Sequence, residues 1–122
     1  MKERGPQDKV SERIRDRQVV VQELVREAGV ELTRIRQSTA ALEARDTIAW
    51  ERAQRWAHNI AARAQALNLG VLASCARELE RFSGAIVVGG PKGKAVTLQS
   101  AAIAIEAIDL ELRALAKSET LT

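Results

Sequence analysis

Apolar residues in this chain recur at helical rather than strand spacing. The first series is Val21, Leu24, Val25, Ala28, Leu32, Ile35, Thr39 and Leu42. At about 100° per residue these positions stay in one narrow sector, the mark of a one-sided helix. The sector keeps its phase through Gly29, so the pattern predicts one long helix from about Arg15 with an interior glycine, a break at Gly29 being the other reading. Residues 1–12 are polar, contain Pro6, and are expected to form a flexible N-terminal tail. Arg45-Asp46-Thr47 makes a corner, with Asp46 or Thr47 as N-cap of the next helix.

A second stripe follows, comprising Ala49, Ala53, Trp56, Ala57, Ile60, Ala64 and Leu67. It stops near Asn68 to Gly70, where both residue types tolerate a left-handed backbone. A third helix is expected from about Leu69 to Arg81, with Leu69, Leu72, Ala76 and Leu79 inward. Residues 83–96 hold Gly84, Gly89, Gly90, Pro91 and Gly93 and read as a glycine-rich loop. In that loop, Ala85-Ile86-Val87-Val88 is expected to lie over one end of the fold. The last helix is expected from about Thr97 to Ala116, with Leu98, Ala102, Ile105, Ile108, Leu112 and Leu115 inward. The result is an all-α, antiparallel, up-and-down four-helix bundle over residues 13–118, with a long N-terminal helix and a short tail at 119–122.

Composition agrees with that outline. In 122 residues, hydrophobic residues are 46% and aromatics only 2%, which suits one helical core and not a sheet. The net charge of +3 comes from interleaved acids and bases without a single-sign block. With few aromatics to stack on bases, nucleic-acid binding is not expected. A lone cysteine, Cys75, excludes an internal disulfide and reads as a small core residue. No apolar run approaches membrane-spanning length and no secretory leader is visible, so a cytoplasmic, soluble protein is expected.

His58 is the one histidine. With Ala49 at zero, the second stripe centres near 30° and His58 falls at about 180°, facing away from the core. Glu51, Gln54, Arg55, Ala61, Ala62 and Gln65 are its neighbours by helical spacing. Taken alone, an outward histidine reads as an incidental surface residue. Without Cys or carboxylate partners at ligand spacing it is no metal site. Nothing supplies the nucleophile elbow of a hydrolase either.

The surrounding sequence changes this. Ala57-His58-Asn59-Ile60, then Leu67-Asn68, Leu72, Ala76 and Leu79-Glu80, resembles without a gap the histidine-bearing stretch of histidine phosphotransfer (HPt) domains. That family typically reads Ala-His-x-Leu-Lys-Gly, then Leu-Gly, Leu and Leu-Glu. The likeness covers about residues 46–81 well and the remaining helical outline loosely. Asn68-Leu69-Gly70 offers a rival register that would put Ile60 in the histidine's place; it is rejected because Ile60 falls inside the apolar stripe.

The resemblance implies a phosphoryl carrier in two-component signalling, not a turnover enzyme. His58 would accept a phosphoryl group from an aspartate in the receiver domain of a hybrid histidine kinase and pass it to a response regulator. It implies no cofactor on this chain, since Mg²⁺ belongs to the receiver. Around His58 it implies a docking surface of Glu51, Arg55, Asn59, Ala61, Ala62, Arg63 and Gln65. Two positions depart from the family: Ala61 stands for the usual Lys, and Ala62 for the usual Gly. Arg55 is the candidate replacement cation, because it shares a face with His58. Loss of the lysine also fits a different reading, a degenerate adaptor that docks a receiver or kinase without being phosphorylated.

Gly89-Gly90-Pro91-Lys92-Gly93-Lys94-Ala95 lacks the spacing and the Ser/Thr of a phosphate loop. Trp56 is expected in the core, and Trp50 at the rim where a partner could touch it. Ile103, Ala107 and Leu110 form a second apolar line on the last helix, expected to pack on the first helix; a dimer surface is the other reading, and a monomer the expected state.

Overall fold

The computed structural model describes residues 6–39, 47–89 and 95–120. Four helices account for nearly all of them: α1 (Pro6–Thr39), α2 (Thr47–Ala66), α3 (Gly70–Gly89) and α4 (Ala95–Thr120). Each neighbour in the cycle α1–α2–α3–α4 packs on the next and α4 closes on α1, with the α2–α3 contact the most extensive. The chain is an all-α four-helix bundle.

Its core is aliphatic and rich in alanine. Val21, Leu24, Ala28, Leu32 and Ile35 come from α1, and Ala53, Ala57, Ile60 and Ala64 from α2. Leu72, Ala76, Leu79 and Ile86 of α3 meet Ala101, Ile105, Ile108 and Leu112 of α4. Alanine at the facing positions lets helix axes approach closely, which concentrates dispersion contacts without large side chains. Cys75 is half-buried; burial pushes its thiol pKa up, helped by Glu111 and Glu78, which disfavours the thiolate.

Helix α1 is continuous through Gly29, as its unbroken apolar phase predicts, and at 34 residues is about 51 Å long. It begins at Pro6, so residues 6–12, expected in the tail, belong to the helix. Proline suits a first helical turn because its missing N–H has no partner there anyway. Arg17 donates from Nη2 to the carbonyl of Leu67 at 2.9 Å, which marks where α1 passes the end of α2. Ile14 keeps the core phase but is exposed, since it lies beyond that end. Leu42, Arg45 and Asp46, assigned to the first stripe and the corner, fall outside the described residues.

A Cβ at Gly29 would meet nothing within 4 Å. Gly29→Ala should therefore stabilise the bundle by about 0.5–1 kcal/mol through helix propensity alone. Urea unfolding with an unchanged slope is the measurement; a loss of stability would mean that the position is crowded.

The turn between α2 and α3 is a tight cap. Asn68 takes the left-handed conformation, φ 58°. Leu69 N–H bonds back to Ala64 O at 2.8 Å, and Asn68 N–H to Gln65 O at 3.0 Å, the paired bonds of a Schellman motif. Leu69 then tucks into the core.

Several expectations need correction. Helix α3 extends to Gly89, so residues 83–89 are helical and the glycine-rich loop does not begin at 83. Ile86 is a fully buried core residue of α3, and the 85–88 run is no lid over the bundle. Helix α4 reaches Thr120, into the expected tail. The two tryptophans exchange roles: Trp50 is completely buried, while Trp56 is half-buried at the edge of the core. Ile103 and Leu110 do not pack on α1; they are 70% and 65% exposed.

Candidate functional site

The α2–α3 pair sets the site by its register. Gln54 lies over Gly84, where an added Cβ would come within 2.8 Å of Gln54 Nε2. One turn along, His58 meets Glu80. Residue numbers rise on α2 as they fall on α3, as in an antiparallel helical hairpin. Glycine at 84 leaves the space in which the Gln54 amide rests, beside the histidine.

His58 projects from the bundle with 68% of its side chain exposed. Its Nδ1 lies 2.7 Å from Glu80 Oε2 on α3. A carboxylate can only accept, so in the neutral ring Nδ1 carries the proton and donates to Glu80. Nε2 is then the nitrogen with the free lone pair. The ring is held by one edge and offers the other.

The neighbours predicted from sequence separate into groups. Glu51, Arg55, Asn59, Ala62 and Gln65 are exposed on α2. Gln65 is tied across the hairpin to Arg77. Arg63 pairs with Glu27 of α1 at 3.0 Å, which fastens the opposite flank of α2 and takes this guanidinium away from His58. Arg55 has no ion pair among the described residues and is the available cation one turn before the histidine. Ala61 is 4% exposed, inside the core. It therefore gives α2 and α3 room to approach and is not part of an open docking surface.

One contributor to the site is not visible in the periodicity of either helix. Glu80 closes the Leu79-Glu80 element of the sequence pattern, yet in the fold it orients the ring. Arg77 and Arg81 of α3, with Ser74 and Glu78, line a shallow hollow on the outer side of the hairpin. The Arg81 guanidinium lies 4.8 Å from the Phe82 ring centroid, a cation–π distance. Glu80 meeting His58 and Arg77 meeting Gln65 both depend on the α2–α3 register, which no single helix pattern contains.

Ile60 is buried, so the rival register on Asn68-Leu69-Gly70 would place its site residue in the core.

No family model, curated protein or solved structure matches the chain. Among the described residues no cluster of three or more His, Cys, Asp or Glu could hold a metal ion, and no helix is long and apolar enough to cross a membrane.

Proposed function

We propose that this chain is a phosphoryl carrier of the HPt kind, with Nε2 of His58 as acceptor. The observation that carries the reading is an exposed imidazole whose Nδ1 is anchored on Glu80, 2.7 Å away on the neighbouring helix. Nε2 attacks the phosphorus of an aspartyl phosphate; the N–P bond forms as the acyl O–P bond breaks, and the aspartate leaves as a carboxylate. The ring gains positive charge as that bond forms, and the Glu80 carboxylate stabilises it through Nδ1–H. Passing the group to a second aspartate reverses these events. Mg²⁺ is supplied by the receiver domain that carries the aspartate, and the arginines on this face attract an acidic partner.

Incubation with a receiver domain phosphorylated on its aspartate tests the proposal. The expected product is a label on this chain that is lost in acid and kept in alkali, the stability of a phosphohistidine. A receiver that binds without ever transferring label would favour the adaptor reading, for which buried Ala61 in the lysine position is the supporting observation.

Two side chains can be weighed in the same assay. Arg55→Ala should slow transfer by up to about a hundredfold, the low end for one charge-stabilising donor because Arg55 is exposed, with the melting temperature unchanged. Glu80→Ala should slow it by a similar factor, and Glu80→Gln should recover part of the loss because its amide oxygen still accepts from Nδ1–H. Equal rates in Glu80→Ala and wild type would remove Glu80 from the mechanism.

A further inference from the structure

Helix α4 carries an apolar line on its solvent side whose two large side chains, Ile103 and Leu110, are left exposed by the described residues. Ile103, Ala107, Leu110 and Ala114 recur at alternating spacings of four and three, the heptad seam of a coiled coil. The line runs opposite the buried series Ala101, Ala104, Ile105, Ile108 and Leu112. Ile103 and Leu110 are among the most exposed large apolar side chains of the described residues, and Ala107 is half-buried. Large and small residues alternate along it.

We infer that this face pairs α4 with α4 of a second copy of the chain, antiparallel about a two-fold axis. Both shape and charge select that occupant. In an antiparallel pair centred between Ile108 and Asp109, each Ile103 sits over Ala114 of the second copy and each Leu110 over its Ala107. Knobs then meet holes along the whole seam. One copy's line is complementary to itself only when reversed.

Charge makes the same choice. Glu106 and Arg113 lie on one flank of the seam, seven residues apart, and both are exposed. An antiparallel two-fold brings each flank against its own counterpart, so Glu106 of each copy faces Arg113 of the other, twice per dimer. A parallel pair would instead set Glu106 against Glu111 of the second copy on both sides, a like-charge arrangement. Within one copy Arg36 holds Glu106, and Asp109 holds Arg113 at 3.1 Å. Both side chains nevertheless remain exposed, Glu106 at 59% and Arg113 at 73%, and a carboxylate has capacity for further donors.

The dimer leaves the histidine face open. Helix α4 packs on α1 and α3 and stands across the bundle from α2, which carries His58. A contact of two single helices is small for a protein interface, so association should depend on concentration.

Sedimentation of the full chain from micromolar to millimolar concentration tests the inference. Wild type should pass from monomer to dimer, and Leu110→Glu should stay monomeric with the same helical circular dichroism and melting temperature. Glu106→Arg and Arg113→Glu should each weaken the dimer at least tenfold, and the double charge reversal should restore it. A monomer at every concentration, a Leu110→Glu dimer, or a double variant no tighter than either single one would each overturn the antiparallel pairing.

Discussion

His58→Gln should abolish phosphoryl labelling of the chain completely while leaving the bundle as stable as wild type. Glutamine is polar, similar in reach, and has no nucleophilic nitrogen, so it removes the reaction without disturbing an exposed position. No other histidine exists to take over. Two donors sharpen the test. A phosphorylated receiver reports docking and chemistry together, whereas phosphoramidate reports only the reactivity of the imidazole. Wild type should be labelled by both and His58→Gln by neither. Acid-labile, alkali-stable label persisting on His58→Gln would sink the carrier reading, because the acceptor would then lie elsewhere.

The largest loss of stability should come from Trp50→Ala. Trp50 heads the fully buried side chains of the described residues, at 0% exposure. Its removal leaves a cavity in the core and should cost about 3–5 kcal/mol. Trp56→Ala, at the half-buried edge, should cost clearly less. Urea unfolding of both variants gives the comparison, and intrinsic fluorescence gives an independent check, since quencher should reach Trp56 more readily than Trp50. If Trp56→Ala proved the more damaging, α2 would have to be rotated from the orientation that buries Trp50 and leaves Trp56 at the edge of the core.

That orientation of α2 explains much of what the sequence did and did not disclose. The apolar phase of α1 ran through Gly29 and correctly outweighed the glycine, because a single interior glycine costs only about 1 kcal/mol against many packed turns. The same physics was underestimated in α3, where Gly84 and Gly89 suggested a loop. Yet Leu79, Ser83 and Ile86 continue the buried spacing, and the helix follows them. In α2 the stripe was centred from that helix alone. Its most extensive contact is with α3, so the buried sector turns toward α3, taking in Trp50 and Ala61 and leaving Trp56 at the edge. His58 was legible because it lies far from either centre. Glu80 was not, since its role depends on how two helices meet and each helix shows only its own periodicity. Asn68, by contrast, announced its turn: its residue type is one of the few that accept a left-handed backbone.

The Schellman turn at Asn68 also bears on how the site comes into being. His58, Glu80, Gln54, Arg55 and Arg77 all belong to one hairpin, residues 47–89, and none is contributed by α1 or α4. Closing that hairpin spans a short stretch of chain and costs little loop entropy, so the site is assembled by the most local of the long contacts in the fold. The outer helices can then vary in sequence, in stability or in the company they keep without having to bring any reacting group into place.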